Sequence, residues 1–238
     1  MKIRPLPDID LARIAPLPSD QKSRALEQMK GGHPPYSYEP MRRSALELLN
    51  VDAGPLGKVD RASWAKLADA ISKRSRSEDE SKANLGAAKA LFDFAEAANL
   101  HGRRHDIYPL AIGISEKVKF WLPAVVAIDG QTVVPFIDPR RSKKLTADGR
   151  RFAFSVMHER IRAADEDFAD VEFAIFQLDA NDDGSRTTRL HLSRGVELYS
   201  FDDLDLMVRE TYDLWRAILE EWERETRRKG AGGRGSLI

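Results

Sequence analysis

The sequence predicts an α+β fold, with a helical N-terminal half followed by a mixed, mostly antiparallel sheet of five or six strands flanked by helices. Three observations carry this expectation. Up to about residue 100, apolar residues recur at spacings of three and four, the repeat of a helix with one buried face. From Gly102 to Ser200 the chain carries short β-branched and aromatic runs separated by turn dipeptides. After Ser200 a helical repeat returns and persists through Trp222.

Residues 1–18 hold Pro5, Pro7, Pro16 and Pro18, whose fixed φ and missing N–H disfavour regular structure, so an extended arm is expected there. Its Ile9, Leu11, Ile14 and Leu17 point to docking on the body. A helix is expected over Ser19–Lys30, ended by Gly31-Gly32 and the loop "HPPYSYEP". Pro40 to Asn50 reads as a short helix with Met41, Ala45, Leu48 and Leu49 on one face. Asp60 is placed to cap the next, which carries Trp64, Leu67, Ala68 and Ile71. Ser77 and Glu80 form a capping box for a long helix with Leu85, Ala88, Leu91, Phe92 and Ala95 inward. The helical region is taken as 19–101 and the sheet domain as 102–228.

Residues 107–114 and 118–128 have strand composition, and Asp129-Gly130 is a hairpin dipeptide leading into "QTVVPFID", so three consecutive antiparallel strands are expected. A helix from Ala147 to Ala163 buries Phe152, Val156 and Ile161. Then come the strand "VEFAIFQL", the turn "DANDDGS", and further strands in "RTTRLHLSRGVELYS". Ser200 and Asp203 open the last helix, and the glycine-rich 229–238 reads as a flexible tail.

Among the 238 residues, 38 Lys and Arg balance 38 Asp and Glu, so no bulk basicity advertises nucleic acid, and any such surface must be local. The absence of cysteine removes disulfides and thiolate metal sites, and the five histidines show no ligand spacing, so no metal ligand is assigned and no cofactor is identified. No leader pattern and no apolar run near eighteen residues is present, so no membrane contact and a cytoplasmic location are expected.

The chemistry-bearing stretch is "VVPFIDPRRSKKLTADGRR", an apolar strand that ends on Asp138 among cations. From the long helix onward, over about residues 77 to 178, the element order is α-β-β-β-α-β. In that order it resembles the core of restriction-endonuclease-like nucleases, the PD-(D/E)xK group. The resemblance implies a divalent cation held by an acid on the second strand and an acid-x-lysine on the third. Asp138-Pro139-Arg140 stands at the latter position, but arginine stabilises phosphate charge without taking a proton from water. Counting across the hairpin pairs Ile128 with Gln131 and carries Trp121, not a carboxylate, opposite Asp138. Asp129 is roughly 30 Å away along the strand, so Glu116, Asp106 or Glu96 completes such a site or there is none. The other role for Asp138 is a strand-end turn that accepts backbone N–H bonds.

A metal-free reading keeps the cations. Arg140, Arg141, Lys143, Lys144, Arg150 and Arg151 form a phosphate-binding set, with Arg160 and Arg162 further on. Arg151, Ser155 and His158 share one helical stripe, which places His158 as a general acid or base. The expected function is therefore nucleic-acid (phosphate) binding, nuclease-like in its catalytic form, with Asp138 and His158 as catalytic candidates.

The alternative is a non-catalytic interaction protein, such as the toxin or effector component of a bacterial toxin-antitoxin or defence operon. There the cations pair internally, and the N-terminal arm and helical half meet a protein partner. "AKALFDF" at 88–94 is similar to the Leu-Phe end of peptides that dock on bacterial sliding clamps, with Ala88 in place of the usual glutamine. A buried helix face needs Leu91 and Phe92 equally. His33, Tyr36 and Tyr38 beside Arg42 and Arg43 either stack on bases or pin a loop. Asp179, Asp182 and Asp183 read as turn residues, because no glutamate closes a calcium loop.

Overall fold

The computed structural model describes residues 5–30, 37–52 and 61–232. Where an extended arm is expected, Asp8–Ile14 forms a helix, α1. Pro7 precedes it and Asp8 and Asp10 lie in its first turn, where carboxylates favour the positive end of the helix dipole. Ile9, Leu11 and Ile14 are buried, and Leu6 N–H donates to the Tyr212 hydroxyl at 3.1 Å. Helix α2 (Ser19–Glu27) follows. The helix expected over 40–50 is two pieces, α3 (Glu39–Arg43) and α4 (Ala45–Leu48), split at Ser44, whose hydroxyl accepts from Arg74 Nη1 at 2.9 Å.

After a short β1 (Val51–Asp52), helix α5 (Trp64–Arg74) is capped by Ser63, whose hydroxyl accepts from Lys66 N–H. The proposed cap Asp60 lies outside the described residues, as do His33 and Tyr36 and the last six residues of the tail. Helix α6 (Glu78–Ala97) has the expected Ser77 cap, but the Glu80 carboxylate does not return to Ser77. It is buried instead, and accepts from Arg76 N–H at 2.6 Å and Ser37 N–H at 2.9 Å. The Arg76 guanidinium, with those two backbone N–H groups, holds the Glu80 carboxyl well below the usual range. One turn on, buried Asn84 accepts from Met41 N–H and donates to Ser37 O. Two polar side chains of α6 thus fix the chain entering α3.

The strands are β2 (His101–Arg104), β3 (Leu110–Ile112), β4 (Glu116–Val118), β5 (Ala124–Ile128) and β6 (Gln131–Asp138). Helix α7 (Ala147–Met157), a π-turn (His158–Arg162), β7 (Glu172–Ala180), β8 (Arg186–Leu192) and α8 (Phe201–Gly232) complete the fold. Among the described residues the sheet has six strands in the order β1-β2-β5-β6-β7-β8, with β1/β2 and β6/β7 parallel and the other pairs antiparallel. The mixed α+β architecture is as the sequence predicts.

Two details differ. Strand β3 does not join the sheet but pairs with β4 in a separate ribbon, and the polar "HGRR" of β2 takes its place beside β5. A short exposed strand carries no alternating apolar signal, which is why it escapes a periodicity reading. The Asp129-Gly130 hairpin has the expected register, with Ile128 opposite Gln131 and positive φ at both turn residues. Past Val133, however, β6 leaves β5, and Asp138 pairs with Gln177 of β7 rather than Trp121. Pro135 has no N–H to continue that ladder, and its carbonyl accepts from Leu122 N–H at 2.7 Å.

Strands β6 and β7 are buried on both faces. Val134, Phe136, Phe173 and Ile175 face α1, α2, α7 and α8, while Val133, Ile137, Ala174, Phe176 and Leu178 face α3 to α6. The helices before residue 100 therefore divide between the two faces. No helix among the described residues is long and apolar enough to cross a membrane.

Gly102 shows how closely β2 and β5 approach, since a Cβ there would lie 2.4 Å from the Val125 carbonyl oxygen. Gly102→Ala is expected to lower unfolding stability by about 2 kcal/mol, as overpacking does, measured by urea denaturation. An unchanged midpoint would show that the strand edge yields.

Candidate functional site: the loop after β6 and its cations

Asp138 closes β6 with its side chain fully buried. One carboxylate oxygen accepts from Arg140 N–H at 3.2 Å, and the other from Leu145 N–H at 2.7 Å and Gln177 Nε2 at 3.3 Å. Gln177 also donates to Leu145 O at 2.9 Å. These bonds shape the loop that carries the cations, with Lys143 in the left-handed region at φ 53°. Thr146 then caps α7 by accepting from Gly149 N–H at 3.1 Å. Asp138 is thus the organiser of a turn.

Most of the cations have partners inside the molecule. Arg140 makes a two-pronged pair with Asp10 of α1, at 2.5 and 2.7 Å, and Asp10 also binds Arg13. Lys144 and Arg189 both pair with Asp179. Arg150 donates to Leu145 O, while Arg151 lies 3.9 Å from the Tyr199 ring centre with Glu197 beyond it. Arg160 donates to Tyr108 O at 2.6 Å, and Arg162 to Val171 O at 2.7 Å while covering the Phe173 ring. Of the predicted phosphate-binding residues, Arg141 and Lys143 alone are exposed with no partner among the described residues.

The proposed catalytic stripe is also structural. The Ser155 hydroxyl donates to Arg151 O and accepts from Tyr199 N–H, tying α7 to the segment before α8. The helix expected to reach Ala163 ends at Met157, and the next turn is π-helical, closed by Ala163 N–H on His158 O at 2.9 Å. His158 Nδ1 is buried there without a hydrogen-bond partner, and Asp138 belongs to a different network. Among the described residues nothing pairs the two candidates. Among the described residues, no three His, Asp or Glu side chains gather as a metal-binding group. Asp106 is exposed in the segment between β2 and β3, Glu96 is exposed near the end of α6, and Glu116 is on the β3–β4 ribbon.

Leu91 and Phe92 are buried in the α3–α6 core, where Phe92 packs on Trp64 at 5.7 Å and lies under Arg61. The "AKALFDF" stretch is a core face here. Asp183 accepts from Ser185 N–H and its hydroxyl, as a turn residue does. Sequence reading missed Asp10 and Gln177. Each lies far along the chain from its partner, and a lone acid in a proline-bearing arm gives no local signal.

Beyond Gln177 the network continues to His191, whose Nε2 donates to Gln177 Oε1 at 3.2 Å. Burial, then the charges of Arg150 and Arg189, push His191 down to about 4. Burial acts to raise the neighbouring Asp179 carboxyl, but the bond from Lys144 and the charges of Lys144 and Arg189 outweigh it and leave Asp179 below its ordinary value.

A family model described as the sliding clamp-binding bacterial toxin SocB matches residues 9–226. The DNA replication inhibitor toxin SocB of Caulobacter vibrioides (strain NA1000 / CB15N) is 37% identical over 234 residues, covering 98% of each chain. No solved structure matches. These two matches overturn the expectation of a nucleic-acid-binding, nuclease-like protein, and the internal pairing of the cations gives the physical reason. The restriction-endonuclease-like resemblance rests on an element order of three strands between α6 and α7, where the structure has five, β2 to β6, so the structure does not confirm it.

Asp138→Asn places an amide N–H₂ or a single oxygen before three donors and is expected to lower stability by roughly 3 kcal/mol, read from urea midpoints. A stability loss below about 0.5 kcal/mol would contradict the turn-organising role. His191 binds its proton more weakly folded than unfolded, so the unfolded state takes up more protons between pH 6.5 and about 4. Stability should fall as pH drops through that window, and fall less steeply in His191→Gln. Parallel pH profiles for the two proteins would refute this.

Proposed function

The chain belongs to the SocB family of sliding clamp-binding bacterial toxins, and from that premise we propose that it is a non-catalytic protein ligand of a bacterial sliding clamp that blocks DNA replication. The observation that carries the reading is the reach of the similarity. It spans both faces of the sheet, from α1 to the far part of α8, and 98% of the replication-inhibitor relative. The internal bonding of Arg140, Lys144, Arg150, Arg160 and Arg162 supports the same reading, because cations held by carboxylates and carbonyls add structure rather than a phosphate surface.

The place of action would be the cytoplasm, where replication clamps operate. The arm holds its apolar residues inside the body, so of the arm and the helical half it is the outer side of α3 to α6 that stays open to contribute contacts. Leu91 and Phe92 are not available as a free docking peptide while α6 is folded.

The test mixes the full chain with a purified bacterial sliding clamp in titration calorimetry and adds it to clamp-dependent primer extension. Binding at a Kd of about 1 μM or tighter is expected, with extension halted only when it requires the clamp. Absence of a complex, or inhibition that persists without the clamp, would overturn the reading.

A further inference from the structure

A concavity opens where Tyr38, the first turns of α6, the loop after β6 and the β7–β8 turn meet. Its charged lining is Lys82, Arg141 and Arg186 against a single carboxylate, Asp79. Among the described residues, no hydrogen bond or ion pair engages Lys82 or Arg141. Arg186 is fixed, with Nη2 donating to Pro139 O at 2.8 Å and Leu178 O at 2.6 Å, and Nη1 to the Tyr38 hydroxyl at 3.4 Å. All three acceptors are uncharged, and among the described residues no carboxylate pairs with the guanidinium. Arg140, Lys144 and Arg189 nearby each face a carboxylate, which sets this cluster apart.

Gly86 lines the same concavity from within α6. Glycine is a poor residue inside a helix, and packing does not demand it, since a Cβ would meet only Arg186 Cγ at an ordinary 3.7 Å. What glycine preserves at this point is room.

We propose that this concavity receives a carboxylate side chain of the protein partner. Lys82 and Arg141 bind the carboxylate, Arg186 supplies fixed positive charge behind them, and Gly86 leaves space for the incoming chain. A concave site of one sign concentrates its field and steers an oppositely charged partner. The inference rests on the clamp-ligand reading, which makes the partner a protein.

Calorimetry with the purified clamp at two salt concentrations tests it, using the full chain and three variants. Lys82→Glu with Arg141→Glu reverses the charge, and Gly86→Gln fills the space. Lys117→Glu, exposed on the β3–β4 ribbon, is the control. The double reversal should weaken binding at least tenfold and flatten its salt dependence. Gly86→Gln should weaken it at least tenfold while melting no lower than wild type, and Lys117→Glu should bind as wild type does. If wild type binds the clamp and both pocket variants bind equally well, the pocket assignment is overturned and the clamp reading stands. If wild type itself fails to bind, the clamp reading falls, and this assignment with it.

Discussion

A buried carboxylate has to be surrounded by donors, and much of this molecule is arranged around meeting that demand at Asp138. Leaving an ionised group unpaired inside a protein costs several kcal/mol, so the chain after β6 folds back to bring Arg140 N–H and Leu145 N–H onto it. That turn decides where the following side chains go. Arg140 is aimed at Asp10 and so locks the N-terminal helix onto the sheet, while Lys144 is aimed at Asp179 on the next strand. Gln177 joins the same network from β7 and passes it on to His191 of β8. One strand-end aspartate thereby links the arm, the loop and three strands.

The second constraint is the sheet's need for cover on both sides. Strands β6 and β7 run parallel with apolar residues on both faces, and neither face can remain in water. The N-terminal helices meet this need by separating, with α1 and α2 joining α7 and α8 on one face and α3 to α6 packing on the other. Glu80 and Asn84 make the second layer definite by capturing backbone N–H groups of Ser37 and Met41. Leu91 and Phe92 belong to this layer, and that is why a Leu-Phe pair similar to a docking peptide serves here as core.

The outline of the fold was legible because it depends on local signals. Helical spacing marked α6 and α8, the Asp-Gly dipeptide set the β5–β6 register, and Ser200 with Asp203 opened α8. Strand β2 and helix α1 were not legible, since one is short and polar and the other sits among prolines. The site failed for a different reason. A row of cations in sequence has the same appearance whether its partners are phosphates or acids from elsewhere in the chain, and here Asp10 lies 130 positions from Arg140.

By itself, then, the sequence determined the class of the fold, the periodic elements and the presence of a cationic loop behind Asp138, because each follows from spacing within a few residues. Tertiary structure alone decided which cations are neutralised and which, among the described residues, are not. An ion pair depends on distance in space, and only the folded chain brings Asp10 to Arg140 and Asp179 to Lys144 while leaving Lys82 and Arg141 together beside Gly86.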